Sequence, residues 1–326
     1  MSTGKNIGLV GYYGFGNYGD EYFRIIFEKA FSDCNIKVIT GYPDRVKSTQ
    51  VRSDVLDQDA IIIGGGDLAI PFSFSAAYWR PEYLERPVYI HSIGVPTWGG
   101  YDEKSVLKMR QFFQHDNVRR VSARDIKSRD WIVKYLQPKV ETVYEPDMVC
   151  SADPVTVEPV KNRVGVILRQ QPNVPNPEHF DYLNQTIRDA GKDPYYLVLG
   201  TDSTRTDDWQ HMLRIPLADA DFAVRSDISS LTQALLSCER VLSMKFHGCV
   251  VALANNRPCM GLSSSDKFVS FYQMVDRLQW MAPFAHKNFV SALHAVMQAD
   301  GFTFDEDLRQ AARDGLTRLR SSILGN

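Results

Sequence analysis

Apolar and polar positions alternate along the first half of the chain in short blocks that predict strands separated by helices. Continuous apolar runs bounded by turn residues are typical of buried strands, whereas apolar positions three and four residues apart indicate helices. The predicted strands are 6–11, 36–40, 59–63, 87–90, 118–122 and 140–144. The predicted helices are 22–31, 104–113 and 126–136. Regular alternation of this kind predicts a parallel, doubly wound sheet.

The same alternation restarts after residues 150–161, which contain two prolines and few core-forming positions and therefore predict a linker. The strands expected beyond it are 163–168, 195–199, 240–244 and 259–262, and the helices are 179–190, 228–237 (capped by Asp227), 250–255, 289–298 and 305–324. We therefore expect an α/β protein with two Rossmann-like domains, 1–155 and 156–326, facing a central cleft. The C-terminal helices belong to the second domain in this division, with the last helix crossing back to the first.

Composition adds constraints on class and compartment. The chain has 326 residues, 44% of them hydrophobic, and a formal net charge of −2, which gives no general attraction for nucleic acid. Its five cysteines are odd in number and include no CxxC pair, which favours free thiols in a reducing cytosol over a zinc site. The sequence shows neither a signal peptide nor an apolar run long enough to span a bilayer. We therefore expect a cytoplasmic protein.

Candidate chemistry is concentrated at strand ends in the second half. Arg169 follows the strand 163–168, Lys245 and His247 follow the strand 240–244, and Lys267 lies beyond the strand 259–262. Because the carboxyl ends of parallel strands border the ligand crevice, these cations and the imidazole are expected in one cleft, suited to an anionic substrate and proton transfer. The alternative is that His247 caps a helix while Arg169 and the lysines are solvated or form surface ion pairs.

Glycines mark two turns in the first half. Gly14-x-Gly16-x-x-Gly19, between a strand and a helix, matches the dinucleotide-binding pattern, and its amides could receive an anion or a sugar. No acidic residue follows the next strand in 40–43 to hold a ribose, so a nicotinamide oxidoreductase ranks last. Asp20 is either a ligand contact or a helix N-cap. The run 64–67, ending in Asp67, predicts a tight turn or close approach of a ligand.

Aromatic residues cluster between positions 72 and 101, on segments that the pattern predicts as loops. They are Phe72, Phe74, Tyr78, Trp79, Trp98 and Tyr101. Such side chains either stack on sugar rings or pack beneath the loops.

Taken together, several blocks resemble one family, the polysaccharide pyruvyl transferases. The blocks are Gly11-Tyr-Tyr-Gly-Phe-Gly-Asn-Tyr-Gly-Asp-Glu21, Gly64-Gly-Gly-Asp-Leu68, Ser92-Ile-Gly-Val-Pro96, Ser122-Ala-Arg-Asp-Ile-Lys-Ser128, Gly165-Val-Ile-Leu-Arg169, His247 and Asp266-Lys267. The resemblance implies a GT-B-like fold and a reaction that moves pyruvate from phosphoenolpyruvate onto two hydroxyls of a sugar as a ketal. It also implies that the donor lies against the second domain and the acceptor against the first.

The resemblance further implies roles for individual residues. His247 would be the catalytic acid, assisted by Lys267 and Asp20, and the donor would be held by Arg169, Lys245, Lys267 and His247. The acceptor-binding candidates are Gly16, Asn17, Asp20, Gly66, Asp67, His91 and Ser92. One departure is Lys245, where the family usually has arginine, because lysine keeps the charge but loses the planar fork of donors.

The expected partners follow from the same resemblance. Phosphoenolpyruvate is a co-substrate, no cofactor or metal is required, and the acceptor is a saccharide of a cell-surface polysaccharide or its lipid-linked precursor. A lipid-linked acceptor implies transient docking at the inner face of the membrane. Oligomeric state stays open. Two alternatives remain, a GT-B glycosyltransferase that uses a nucleotide sugar and a non-catalytic saccharide-binding relative.

Overall fold

The computed structural model describes residues 4–39, 48–171, 176–215 and 221–325, which form two compact units. The first contains residues 1–13, 22–152 and 307–326, and the second contains residues 14–21 and 153–306. This division differs from the expected domains 1–155 and 156–326 in two places. A short segment around the first glycine turn belongs with the second unit, and most of the last helix belongs with the first.

The first unit is built on a six-stranded parallel sheet. Its elements are β1 (Asn6–Val10), α1 (Tyr18–Ala30, entering from the second unit), β2 (Asn35–Val38), α2 (Ser48–Leu56), β3 (Ala60–Gly64), β4 (Val88–Ile93), α3 (Glu103–Phe113), β5 (Val118–Ala123), α4 (Ile126–Tyr135) and β6 (Thr142–Tyr144). The strand order is β2-β1-β3-β4-β5-β6, and every pairing is parallel. The predicted end of the second strand, at Thr40, and the turn 40–43 lie outside the described residues.

The second unit repeats this arrangement with five strands. Its elements are β7 (Arg163–Ile167), α5 (Pro177–Asp189), β8 (Asp193–Leu197), α6 (Asp202–Met212), β9 (Asp221–Ala223), α7 (Ile228–Leu236), β10 (Arg240–Ser243), α8 (Phe246–Ala254), β11 (Cys259–Gly261), α9 (Asp266–Met274) and α10 (Phe289–Met297). Every pairing in the order β11-β10-β7-β8-β9 is parallel. From β7 the chain adds β8 and β9 on one side of the sheet and β10 and β11 on the other, so the strand order reverses between β7 and β10. The two-domain, doubly wound α/β fold is therefore confirmed.

The last helix, α11 (Glu306–Leu324), returns to the first unit as expected. The Lys5 ammonium donates to the Ile323 carbonyl at 2.6 Å, and the Tyr89 hydroxyl donates to the Ser322 carbonyl at 3.0 Å. Arg309, only 2% exposed, donates to the Ala152 carbonyl at 2.7 Å. Side chains of the first unit thus donate to carbonyls of α11, and Arg309 of α11 donates to a carbonyl of the first unit, so the helix is part of that unit.

Helix starts and polar helices are where the pattern was least accurate. Helix α1 begins at Tyr18 rather than at residue 22, and α8 begins at Phe246 rather than at residue 250. In both first turns a glycine lies against a neighbouring group, and its missing side chain weakens the apolar periodicity. Helix α6 was missed because its sequence, DSTRTDDWQHM, carries few apolar residues to define a buried face. The Asp227 cap is confirmed, since its carboxylate accepts from the Ser230 amide at 2.9 Å.

The aromatic residues between positions 72 and 101 divide into core and surface. Trp79 is 2% exposed, its ring centroid lies 5.0 Å from that of Phe113, and its Nε1 donates to the Leu68 carbonyl. Phe74 and Tyr78 pack against the same core. Trp98 and Tyr101 are exposed, so these two are the members of the cluster that are open to solvent.

Candidate active site

Two neighbouring strand ends in the second unit lie at the point where the sheet order reverses. Strands β7 and β10 pair directly, and Arg169 and Lys245 follow their carboxyl ends. In open α/β sheets this reversal is the usual position of the ligand crevice. Arg169 is exposed and makes no hydrogen bond or ion pair within the described part of the chain. Its guanidinium is therefore available to an anion.

His247 lies in the first turn of α8, half-buried, with its ring centroid 5.0 Å from that of Phe246. Its other neighbour is Gly19, where an added Cβ would lie only 1.7 Å from the imidazole Nδ1. Glycine is thus needed at position 19 for the backbone to lie against the ring. The next residue, Asp20, is 9% exposed, and its negative charge acts on Lys245.

Lys267 reaches the same cluster from the next strand. It lies in the first turn of α9, and its Nζ is 5.7 Å from the centroid of the Phe246 ring. The second unit brings His247 and Lys267 together around a single aromatic ring, with Gly19 against the imidazole.

Lys245 differs from the other cations because its charge is already paired. Its Nζ forms an ion pair with Asp208 and donates to the Leu199 carbonyl at 2.7 Å, and its side chain is only 11% exposed. Burial lowers the pKa of Lys245, and the Asp208 carboxylate opposes that shift. The Arg169 charge also lowers the pKa of Lys245, so the two cations are close enough to interact.

The first glycine turn, expected to receive an anion or acceptor sugar, is occupied by the protein itself. Glu21 Oε1 accepts from the amides of Gly14, at 2.6 Å, and Gly16, at 3.2 Å. The Gly16 carbonyl accepts from the Thr201 amide at 2.8 Å, and a Cβ at Gly16 would lie 2.0 Å from the Thr201 carbonyl oxygen. Gly14 and Gly16 both have positive φ, 86° and 76°. Packing against Thr201 requires glycine at position 16, and the positive φ favours glycine at position 14. Both lie in the second unit, whereas the sequence expectation placed Gly16 on the acceptor side with the first.

Asn17 and Asp20 are also placed differently from the sequence expectation. Asn17 forms an isolated antiparallel bridge with Gly200, and its side chain accepts from the Gly19 amide at 3.2 Å. Asn17 therefore precedes the helix in the position expected for Asp20, which lies inside the first turn of α1. Both residues belong to the second unit and not to the first, and Gly19 between them lies against His247.

The second glycine turn lies at the end of β3 in the first unit and holds an ion pair. Asp67 pairs with Arg124, which is 3% exposed and also lies 3.8 Å from Asp147. Gly66 has φ of 81°, and its carbonyl accepts from the Gly94 amide at 2.8 Å. Asp67 is itself 23% exposed, so one face of its carboxylate can meet a ligand.

His91 and Ser92, the remaining acceptor candidates, are enclosed in the first unit. They are 1% and 0% exposed, and a sugar cannot contact side chains enclosed to this degree without rearrangement of the sheet. His91 Nδ1 lies 3.1 Å from the Ser122 hydroxyl and 3.3 Å from Glu145 Oε2. Burial lowers the pKa of His91, although Glu145 opposes this. Their positions correct the sequence expectation and indicate a structural role.

Glu145 is the centre of this buried network, and the sequence did not reveal it. Its carboxylate pairs with Arg120 and accepts from Arg318 Nε of α11 at 3.0 Å. Burial raises the pKa of Glu145, but the His91 hydrogen bond and the Arg120 charge outweigh burial and hold its pKa at about 2. Asp208 was missed for the same reason, since both are single acidic residues whose partners lie far away in the chain.

Within residues 4–39, 48–171, 176–215 and 221–325, no three or more His, Cys, Asp or Glu side chains are grouped so that they could hold a metal ion. Over the same ranges no helix has the length and apolarity needed to cross a membrane.

Two units, each built on a parallel, doubly wound α/β sheet, are typical of the GT-B-like class of proteins. Solved structures agree on the fold. UDP-N-acetylglucosamine 2-epimerase from Rickettsia bellii has a TM-score of 0.59 at 11% identity, covering 99% of this chain and 96% of its own. The S. aureus MnaA–UDP co-structure gives 0.60 at 10% identity, covering 98% and 96%. The 2-epimerase from Methanocaldococcus jannaschii gives 0.58 at 9% identity, covering 97% and 99%.

The sequence gives the finer assignment. The family model for polysaccharide pyruvyl transferase matches residues 17–266, and the chain belongs to that family. The matched region contains Asn17, Arg169 and His247 and ends at Asp266, one residue before Lys267. No curated protein matches the chain. At identities this low the epimerases show the fold alone, so the family match identifies the chain as a transferase.

Proposed function

We propose that this protein transfers the pyruvyl group of phosphoenolpyruvate to two hydroxyls of a sugar and forms a pyruvate ketal. The observation that carries the proposal is the cluster at the reversal of the second sheet. His247 and Lys267 lie beside the Phe246 ring there, and the guanidinium of Arg169, which has no partner among the described residues, is close enough to Lys245 to lower its pKa. The family match supports transfer of a pyruvyl group. A small, doubly anionic donor matches this charge distribution.

Protonation of the donor is the first step of the proposed reaction. His247 gives a proton to the methylene carbon of phosphoenolpyruvate, which becomes a methyl group and leaves an oxocarbenium-like centre at the next carbon. Arg169 and Lys267 bind the phosphate and carboxylate and stabilise the charge that shifts between them. Lys245 adds a positive field nearby, although its ammonium is held by Asp208.

Two additions complete the ketal. The first sugar hydroxyl attacks the oxocarbenium centre and loses its proton to a base, for which Asp20, the residue after Gly19, is the candidate. The carbon–oxygen bond to phosphate then breaks, inorganic phosphate leaves, and the second hydroxyl closes the ring and loses its own proton. In total two carbon–oxygen bonds form and one breaks, and no oxidant or reductant is needed. Asp67 is the remaining candidate for holding acceptor hydroxyls in the first unit.

The setting of the reaction is part of the proposal. We infer a cytoplasmic enzyme, because the odd number of cysteines fits a reducing compartment. The acceptor is a saccharide of a cell-surface polysaccharide or of its lipid-linked precursor, and a lipid-linked acceptor requires at least transient contact with the membrane. No cofactor beyond phosphoenolpyruvate enters the scheme.

Donor-dependent thermal stabilisation tests the proposal directly. A ligand present at a hundred times its dissociation constant stabilises the folded state by about 2.7 kcal/mol, which raises Tm measurably. Phosphoenolpyruvate should raise Tm, whereas UDP-N-acetylglucosamine and nicotinamide dinucleotides should not. Stabilisation by a UDP-sugar instead would favour the nucleotide-sugar transferase that the epimerase-like fold leaves as the alternative.

Phosphate release with a panel of β-galactosides and N-acetylhexosamines is the second measurement. We expect one equivalent of phosphate and one ketal for each sugar modified. Stabilisation by phosphoenolpyruvate without phosphate release on any acceptor would favour the saccharide-binding relative that lacks catalysis.

A further inference from the structure

Asp208 lies in the second unit between the two strand ends that carry the candidate site. Its side chain is 4% exposed, and its Oδ1 accepts from the Gln170 amide at 2.8 Å. Its other oxygen pairs with the Lys245 ammonium, which also donates to the Leu199 carbonyl. One carboxylate therefore joins α6 to the segments that follow β7 and β10.

Both segments lead directly to residues of the proposed reaction. Gln170 follows Arg169 in the chain, so the hydrogen bond from its amide fixes the backbone next to the guanidinium. Lys245 is the N-cap residue of α8, whose first turn contains His247. The ion pair thus holds the start of that helix relative to the end of β7. Separating this buried carboxylate from its cation would leave a buried charge uncompensated and would cost free energy. The ion pair therefore stays formed in the folded protein.

We propose that Asp208 is a positioning residue, which acts with Lys245 to set the distance between the guanidinium of Arg169 and the imidazole of His247. The inference rests on the proposed function for its kinetic consequences. It assigns Lys245 to the framework of the site and not to direct contact with the donor. It also accounts for the lysine at position 245, where the resemblance leads one to expect arginine, because a single ammonium group suffices for the ion pair with Asp208.

A double-mutant cycle separates this role from direct donor binding. Asp208→Asn and Lys245→Met should each lower kcat/KM for phosphoenolpyruvate by about 10- to 100-fold, since misplacing catalytic groups by a small distance costs this much. The double variant should lose no more than either single variant, because the two side chains act as one unit. Asp207→Asn, an exposed neighbour on α6, is the matched control and should leave kcat/KM unchanged.

Two outcomes would overturn the inference. If the two single losses multiply in the double variant, Lys245 contacts the donor independently of Asp208. If Asp208→Asn lowers Tm but leaves kcat/KM unchanged well below Tm, the pair only stabilises the fold.

The NMR resonances of the His247 ring provide a readout that does not depend on the donor. They should shift in Asp208→Asn and stay in place in Asp207→Asn, whichever substrate the enzyme uses. A shift without phosphoenolpyruvate turnover in the unmodified protein would uphold the positioning role and reject the proposed reaction. An unshifted ring would reject the positioning role itself.

A second, independent observation concerns the surface of the first unit. Five aromatic side chains lie in two contacting groups, which together we call the aromatic row: Phe72 with Trp98, and Tyr101 with Tyr135 and Trp131. The Phe72 and Trp98 ring centroids lie 4.9 Å apart, as do those of Trp131 and Tyr135, and Tyr101 lies 5.7 Å from Tyr135. Trp98 is 71% exposed and Tyr101 is 52% exposed, on the same short turn. Large aromatic residues presented together on a surface indicate an interaction site.

Lysines lie near the aromatic row. Lys134 Nζ lies 4.9 Å from the centroid of the Tyr135 ring. Four exposed lysines lie on α3 and α4, against the exposed acids Glu103 and Asp130: Lys104, Lys108, Lys127 and Lys134. Exposed Ile126 and Val133 lie two turns apart on one face of α4.

We infer that this face docks on an anionic lipid surface. Trp and Tyr favour the headgroup level of a bilayer, where a ring can be buried while its polar atom stays hydrated. Lysines beside them are attracted to anionic headgroups. The combination of solvent-exposed indole and phenol rings with nearby lysines fits an anionic membrane surface better than a neutral sugar, because a neutral sugar offers no negative charge to the lysines.

Vesicle sedimentation tests the inference. The protein should bind vesicles of phosphatidylcholine with phosphatidylglycerol, more weakly at high salt, and should bind phosphatidylcholine alone much less. Trp98→Ser with Tyr101→Ser should weaken binding at least about 10-fold, because each ring buries a large apolar area. Leu213→Ser, which removes a 66% exposed side chain from the second unit, is the matched control and should bind like the unmodified protein.

Equal binding by the aromatic variant, or absence of binding to anionic vesicles, would overturn this inference. If a soluble saccharide, and not the vesicles, quenches the fluorescence of Trp98, the aromatic row would be assigned to binding of the acceptor sugar instead.

Discussion

Each unit contains a histidine surrounded by charged groups, and the two sites differ in whether those charges are already satisfied. In the first unit, His91 and Glu145 are 1% exposed, and arginines of β5 and α11 neutralise the carboxylate. In the second unit, His247 is half-buried, and the exposed Arg169 has no protein partner within the described residues. A closed network stabilises a fold, whereas an open one can bind a ligand. Exposure and pairing therefore distinguish the two histidines, which residue type alone cannot do.

Replacement of the open histidine should produce the largest loss of activity. We expect His247→Ala to lower kcat by about 10²- to 10⁴-fold, the usual contribution of a general acid, with little change in Tm. Phosphate release and thermal unfolding check the two parts. The exposed His286→Ala, on the same unit, is the matched control and should retain normal turnover. Near-normal turnover of His247→Ala would remove His247 from the mechanism.

Replacement of the closed carboxylate should do the opposite. Glu145→Gln leaves Arg120 and Arg318 without their counter-charge, so the free energy of unfolding should fall by about 3–5 kcal/mol. Urea denaturation at neutral pH measures this loss. Glu141→Gln, at an exposed position before β6, is the control and should change it by less than about 0.5 kcal/mol. A comparably small effect of Glu145→Gln would mean that the network does not hold α11.

Acid should weaken the closed network in two steps. The folded-state pKa of His91 is lowered from 6.5, and that of Glu145 is lowered from 4.5 to about 2. Both groups bind protons more readily in the unfolded chain, so the stability they contribute is complete above pH 6.5. It is lost progressively as the pH falls towards the folded-state values, with Glu145 accounting for about 3 kcal/mol.

Denaturation midpoints between pH 8 and pH 3 test this dependence. The curve for Glu145→Gln should be flatter below pH 4.5 than that of the unmodified protein, because the variant lacks the titrating group. Parallel curves would show that other carboxylates dominate acid unfolding.

The smallest expected effect concerns the glycines beside the open site. Gly19→Ala should push the imidazole of His247 aside and lower kcat by about 10-fold, since an added Cβ would overlap Nδ1. Gly14→Ala is the matched control, because it also lies in the loop, has φ of 86° and has nothing within 4 Å of an added Cβ. It should cost about 1–2 kcal/mol of stability and leave kcat unchanged. Similar kcat values for both variants would mean that the ring does not need its position against Gly19.

Much of the fold follows from local pattern. Buried strands such as β3 and β10 were predicted within one or two residues, because a continuous apolar run has few alternatives once both faces of a sheet are covered. The strand ends that carry Arg169, Lys245 and His247 followed from those boundaries. Polar helices were not predictable in this way, and α6 shows why, since its placement depends on Asp208 finding Lys245 and not on an apolar face.

The sequence by itself determined the alternation of strands and helices, the family and the strand ends where chemistry could lie, because each depends on residues near one another in the chain. Only the tertiary structure decided which polar groups were already satisfied. Glu21 fills the glycine turn, Asp208 holds Lys245 and Glu145 encloses His91, and each is a single acidic residue in an ordinary sequence context. Charge pairing depends on distance in space and on exclusion of water, and neither is encoded in the local periodicity of a chain.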